Sequence, residues 1–219
     1  MNRCLVFGNN YFAEMMCEYL EEYTDTRVEG FLVNRDYVKS SKQMGKEVFL
    51  YEDLKRNFKP DEVSVLVTCG YKGMNTLRRD ISETLKTEGF KLQSFIHPDA
   101  RIYADEIGKG NIILEGAIVG KHVVLGNGNI IWNGANISHH TVINNYNFFA
   151  PSCAVGGKAI INNNCFFGIN STVKGGIVVK DYTLIGAAAY VKCSTNLYDV
   201  YVPGVHGPLE EKNSLEMFG

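Results

Sequence analysis

The chain has 219 residues, a formal net charge of −2 and a pI near 6.2, so it lacks the broad cationic field that holds nucleic acid or anionic lipid. With 45% apolar residues it reads as a globular protein of one large or two modest domains. No apolar stretch approaches membrane-spanning length and the first residues carry no secretory pattern, which makes the cytoplasm the expected location and small molecules the expected ligands.

The first ninety or so residues alternate strand-like and helix-like segments. Residues 3–8 read as a strand, and residues 11–23 as a helix with Phe12, Met15, Met16, Tyr19 and Leu20 at helical spacing. A second strand is expected at 27–33, a short helix at 51–58, a third strand at 63–67 and a helix at 75–87, where Leu77, Ile81 and Leu85 share one face. This βαβ order predicts a small α/β, Rossmann-like parallel sheet with helices on its faces. Ligands gather outside the carboxyl ends of such strands. Gly8, Asn9 and Asn10 follow the first strand and open a helix, the setting for a phosphate, although the pattern is not a full GxGxxG. Asn34, Arg35 and Asp36 follow the second strand, with Arg35 a candidate for phosphate and Asp36 for a ribose or base edge; Gly70 and Tyr71 follow the third.

The second half obeys another period. Stepping six residues at a time from Ile107 to Val191, all fifteen positions are apolar; chance would produce this on the order of once in 10⁵. Two residues earlier the side chains are mostly small, as at Ala117, Ala135, Thr141, Cys153, Ala159, Cys165, Ser171 and Ala189, and glycine often follows, as at Gly108, Gly120, Gly126, Gly156, Gly168 and Gly186. A bulky residue pointing inward, a small one at the corner and a turn residue after it describe a narrow three-sided parallel β-coil, one hexapeptide per side. Three sides make an eighteen-residue coil, so about five coils should stack through strand pairing. Three regions are therefore expected: an α/β domain over 1–95, a β-helix over 96–192 and a short cap over 193–219. The six cysteines show no CxxC spacing and lie mostly in apolar runs, as buried free thiols do, so neither disulfides nor a cysteine–zinc site is expected.

The hexapeptide half resembles the left-handed parallel β-helix acyltransferases, and the order of the two halves resembles bacterial nucleotide-sugar acetyltransferases of the sialic-acid and bacillosamine pathway type. The most specific match is Ile137-Ser138-His139-His140-Thr141-Val142-Ile143, which is similar to the segment carrying that family's catalytic base. It implies that His139 is the base. His140 stands where the family commonly has Asp or Glu to orient the imidazole, and is assigned a supporting catalytic role. The resemblance further implies acetyl-CoA as donor without a metal, a nucleotide-linked amino sugar as acceptor in surface-glycan synthesis, and a homotrimer with the coenzyme between neighbouring prisms. Gly157, one coil beyond His139, would offer its amide to the acetyl carbonyl, Gly156 would let the coenzyme approach, and Lys174-Gly175 and Lys192 would lie near its phosphates. Pro203 and Gly204 match the family's terminal loop at the adenine end, without its usual Pro-Ala-Lys ending.

Three alternatives stay open. A sugar hydroxyl could replace the amine. A zinc-dependent carbonic anhydrase could use His122, His139 and His140. A catalytically inactive trimer could merely bind a nucleotide sugar. His97 and His206 are read as structural.

Overall fold

The computed structural model describes residues 2–204 and 213–217, which fall into two compact units. The first comprises residues 1–69 and 80–94. Its strands are β1 (Asn2–Phe7), β2 (Thr26–Val33), β3 (Lys42–Gln43), β4 (Lys46–Leu50), β5 (Ser64–Val67) and β6 (Lys91–Leu92), in sheet order β3-β4-β2-β1-β5-β6. All neighbours are parallel except the short β3–β4 hairpin.

Alternation along β1 splits the core. Leu5 and Phe7 join Leu32, Val65, Val67, Ile81 and Leu85 on one face, while Cys4 and Val6 belong to the other set of buried side chains. Helix α1 (Tyr11–Tyr23) buries Ala13, Met16, Cys17 and Leu20 at i, i+3, i+4, i+7; of the expected stripe Met16 and Leu20 are buried, whereas Phe12, Met15 and Tyr19 are only half-buried because the small Ala13 and Cys17 face the sheet instead. Asn10 stops the strand-to-helix turn and caps α1, its Oδ1 accepting from Ala13 N at 3.0 Å.

The second unit comprises residues 70–79 and 95–219. Eighteen two-residue strands, from Phe95–Ile96 to Val200–Tyr201, form three parallel sheets of seven, six and five strands. Pairing partners stand eighteen residues apart, as in Ile112 with Ile130 and Val142 with Ile160. The hexad positions from Ile113 onward point inward and are buried, and every small corner residue named above is at most 2% exposed. The coil starts earlier than the hexads indicate, at Phe95, and after Val191 the spacing shortens to sixteen: Val200–Tyr201 leaves the register but still pairs with Leu184–Ile185.

Two features lie outside the apolar pattern. Left-handed backbone recurs three residues before each inward residue, in three corner columns that include Gly128, Tyr146 and Asn164; Gly134, Ser152 and Asn170; and His122, His140, Lys158 and Gly176. The glycines after the inward residues have a different reason: at Gly126 a Cβ would stand 2.6 Å from the Asn144 carbonyl oxygen of the next coil. Asparagine ladders replace small residues along one corner. Asn111, Asn129 and Asn147 each accept, through Oδ1, the backbone N–H eighteen residues on, at 2.8–2.9 Å. Outside them Asn127, Asn145, Asn163 and Asp181 form a second ladder.

The sheet whose outward residues include Phe148, Phe166, Leu184 and Val200 is covered by residues 70–79 of the same unit. Tyr71 packs edge-on against Phe148 and Phe166, and Met74 joins Leu184 and Val200. Arg78, 1% exposed, donates to the carbonyls of Gly70, Gly128, Tyr146 and Asn147 at 2.7–3.1 Å. Another sheet is different: its outward Val142 and Ile160, eighteen apart, are 37% and 42% exposed and flanked by half-buried Val124 and Val178.

Among the described residues no helix is long and apolar enough to cross a membrane. All six cysteines are free. Burial pushes the thiols of Cys4 and Cys153 up to about 12 and that of Cys17 to about 11, and Cys165 higher still, which disfavours the nucleophilic thiolate at all four. Cys193 is exposed, unlike the others.

Candidate active site

One corner of the β-helix collects most of the residues singled out above. Eighteen-residue stacking superposes Ser138-His139-His140, Gly156-Gly157-Lys158, Lys174-Gly175-Gly176 and Lys192 in successive coils. Backbone bonds fix the stack: His140 N donates to Lys121 O, Lys158 N to His139 O and Gly176 N to Gly157 O, each at 2.9 Å.

His139 is exposed, and its imidazole lies over the backbone of Gly157. A Cβ on Gly157 would stand 2.7 Å from Cε1 and 2.8 Å from Nε2, so the ring occupies the space a side chain would need. The Gly157 amide donates to no other group among the described residues, which leaves it available to a ligand. Gly175 meets the same constraint from the next coil, its Cβ position lying 2.6 Å from Gly157 O. Bare backbone thus runs along this corner beside an imidazole nitrogen.

The second histidine is tied to the first. Nδ1 of His139 and Nδ1 of His140 are 3.0 Å apart, with the rings nearly perpendicular. His140 itself adopts the left-handed conformation, φ 58°, at its corner. Its ring faces that of His122 in the preceding coil at 4.6 Å between centroids, and His122 Nδ1 is 3.1 Å from Asp105 Oδ2. Loss of hydration, then the neighbouring His122, His139 and Lys158, hold His140 below the usual histidine range. The three histidines do not converge on a common point: His122 turns its Nδ1 to Asp105 and its ring lies tilted by 49° against His140. Among the described residues no three His, Cys, Asp or Glu groups are arranged to hold a metal ion.

Lys174 and Lys192 are exposed on the same column, beyond Gly156. Pro203 and Gly204 are exposed after the last strand; Val205 and His206 lie outside the described residues. His97 is 5% exposed and its Nδ1 accepts from Asp99 N, a structural role.

In the first unit, a cavity of about 370 Å³ opens at the start of α1, lined by Asn10, Tyr11, Glu14, Lys39, Lys42 and Gln43 among others. Gln43 Nε2 donates to Glu14, and Asn9 Nδ2 to Tyr37 O. Asn10 lies in this cavity, whereas Asn34, Arg35 and Asp36 do not line it: they enter a turn of 3₁₀ helix in which Arg35 N donates to Glu52 and the guanidinium pairs with Asp53 at 3.7 Å. Gly8 has a packing reason of its own, since at φ 137° a Cβ would stand 2.7 Å from Thr68 Oγ1. Gly70 accepts from Arg78 and Tyr71 packs on Phe148 and Phe166, both within the second unit. Sequence reasoning missed Lys39, Lys42 and Gln43 because they follow no strand end. It missed Asp105 because the residue lies one coil and one position away from His122, a diagonal that the eighteen-residue columns do not mark.

No protein-family model and no curated protein matches the sequence. Solved structures do match. The acetyltransferase domain of PglB from Neisseria gonorrhoeae superposes with a TM-score of 0.82 at 22% identity, over 95% of this chain and 100% of that one. The fold is a small parallel α/β sheet followed by a left-handed parallel β-helix. PerB from Caulobacter crescentus, in complex with CoA and GDP-perosamine, gives 0.80 at 20% identity over 91% and 93%, and WeeI from Acinetobacter baumannii AYE gives 0.83 at 17% over 95% and 100%. The PglB domain is also known in complex with acetyl coenzyme A.

Proposed function

We propose that this chain is an acetyltransferase that moves the acetyl group of acetyl-CoA to the amine of a nucleotide-linked amino sugar. The observation that carries this reading is the His139 imidazole seated over the bare backbone of Gly157. The fold shared with acetyltransferases that bind acetyl-CoA, and in one case GDP-perosamine, supports it.

Chemistry follows from the corner. The sugar amine attacks the thioester carbonyl carbon while His139 Nε2 takes its proton, a contribution of about 10²- to 10⁴-fold. The Gly157 N–H donates to the oxygen that becomes negative. As the C–S bond breaks, the proton on His139 passes to the departing thiolate, so amine and thioester become amide and free CoA. Gly156, Gly157 and Gly175 leave the backbone bare for the pantetheine arm. Lys174 and Lys192, successive coils about 5 Å apart, meet the coenzyme phosphates, and Pro203-Gly204 its adenine end.

The cavity of the first unit is the place for the nucleotide, with Lys39, Lys42 and Asn10 toward its phosphates. Arg35, ion-paired to Asp53, is a weaker candidate for that role. The exposed stripe of Val142 and Ile160 supports a homotrimer: it borders the His139 corner, so a neighbouring prism packed there would wall the coenzyme cleft. Six free thiols suit a reducing cytoplasm, where we place the reaction as a step toward a surface glycan.

The test is incubation with acetyl-CoA and UDP-, dTDP- and GDP-linked amino sugars beside matched hydroxyl compounds, reading thiol release and product mass. One amine should gain 42 Da, about the mass of an acetyl group replacing a proton. Acetylation of the hydroxyl compounds alone would make the chain an O-acetyltransferase, and binding of neither coenzyme nor sugar would end the enzyme reading.

A further inference from the structure

We propose that Glu14 and Gln43 read the base of the bound nucleotide and select guanine, so that the acceptor sugar is carried on GDP. The proposal deepens the reading of the first unit's cavity as the nucleotide's place and rests on it.

Both residues line that cavity, and Gln43 Nε2 donates to Glu14 Oε1 at 3.1 Å. A carboxylate only accepts, so this contact fixes which end of the Gln43 amide faces Glu14. Nε2 keeps a second hydrogen, and both Glu14 oxygens keep lone pairs. Lys39 and Lys42 line the same cavity, yet no ion pair reaches Glu14 among the described residues, and Lys42 turns to Glu47 at 3.2 Å. The pair thus offers a ligand one donor beside two acceptors. Two elements hold it in place. Glu14 lies in the first turn of α1, where its N–H donates to Asn10 O at 3.1 Å and Asn10 caps the helix. Gln43 ends β3 opposite Lys46, and Met44 and Gly45 between them are both left-handed, φ 52° and 75°, a two-residue turn that fixes the register of the hairpin. Tyr11 lines the cavity as well and is 90% exposed, so its ring offers a face on which a base can stack.

Donor, acceptor, acceptor is the complement of one base edge. Guanine presents O6, N1–H and N2–H in that order. Gln43 donates to O6, while the two oxygens of Glu14 take N1–H and N2–H. Uracil and thymine place one N–H between two carbonyls, so one Glu14 oxygen would face a carbonyl oxygen. Adenine and cytosine present a single exocyclic amino group on this edge and leave that oxygen without a donor. A polar group left unpaired on binding costs more than a matched pair gains, so the mismatch supplies most of the discrimination.

Titration calorimetry of the whole chain with GDP, UDP, dTDP, ADP, inosine diphosphate and xanthosine diphosphate tests the assignment without turnover. GDP should bind about tenfold or more tighter than UDP, dTDP or ADP. Inosine diphosphate lacks the 2-amino group and should bind about 10- to 100-fold more weakly than GDP, the worth of one hydrogen bond to a charged acceptor. Glu14→Gln keeps the size of the side chain and turns one acceptor into a donor. It should weaken GDP by about the same factor and strengthen xanthosine diphosphate, whose base carries a carbonyl where guanine carries the amino group. That gain separates a changed base reader from a damaged fold. UDP, dTDP or ADP binding as tightly as GDP, or E14Q with the native ranking, overturns guanine selection while the cavity remains the nucleotide's place. Binding of none of the diphosphates overturns both.

Discussion

The His139 imidazole crowds the position a Cβ on Gly157, one coil away, would take, with Nε2 2.8 Å from it. A Gly157→Ala variant must therefore displace the ring. Because His139 is exposed, its ring can be displaced toward solvent at the loss of the contact with His140 Nδ1, and the cost to stability should be below about 1 kcal/mol. The cost to kcat should reach about 10²-fold. Urea unfolding beside steady-state kinetics checks both; an alanine variant with native kcat would mean that the ring position is irrelevant.

Lys174 and Lys192 are exposed and eighteen residues apart in the column that continues from Gly156. Replacing both with Glu should weaken acetyl-CoA binding about tenfold or more, given that each charge reversal near a phosphate costs on the order of 1 kcal/mol. Saturating kcat should change little. Titration calorimetry at two salt concentrations reads the effect, which should shrink as salt rises.

Val142 and Ile160 stand exposed on adjacent strands beside the His139 corner. Glu at both positions should leave the protomer folded, because neither side chain enters the coil, and under the proposed homotrimer should shift the species from trimer to monomer in analytical ultracentrifugation. Turnover should fall with it if, as proposed, a neighbouring prism walls the coenzyme cleft.

Asn147 is 0% exposed, accepts from Cys165 N at 2.8 Å and donates its own N–H to Asn129. Asn147→Ala leaves the Cys165 amide buried without an acceptor and should cost about 1–3 kcal/mol. Asn147→Asp should cost more, because a charge would be buried. Chemical denaturation of the variants measures the difference.

Much of this architecture was legible in the sequence because a period of six permits no other economical fold: Ile113 to Val191 face inward as their spacing requires. Helix α1 was legible from its apolar spacing, but its buried face was not: small Ala13 and Cys17 pack inward where Phe12, Met15 and Tyr19 were expected. The β3–β4 hairpin was missed because Lys42, Gln43, Lys46 and Glu47 are polar edge residues without alternation. Residues 70–79 read as the end of a strand and the start of a helix, but belong with the β-helix unit because Tyr71, Met74 and Arg78 cap the outward aromatic and aliphatic residues of one sheet. Such a partnership leaves no periodic trace. At the site, His139 over Gly157 followed from counting eighteen, whereas the Asp105–His122 contact lies on a diagonal across the columns. The asparagine ladder at 111, 129 and 147 was missed, because only hydrogen-bond geometry reveals that these side chains replace small corner residues.

The most direct test of the central claim is kcat of His139→Asn at saturating acetyl-CoA and amino sugar, with coenzyme affinity measured in parallel. With His139 as the base, kcat should fall by about 10²- to 10⁴-fold at unchanged affinity. A variant within about threefold of native kcat, well short of what loss of a general base costs, would contradict His139 as the base.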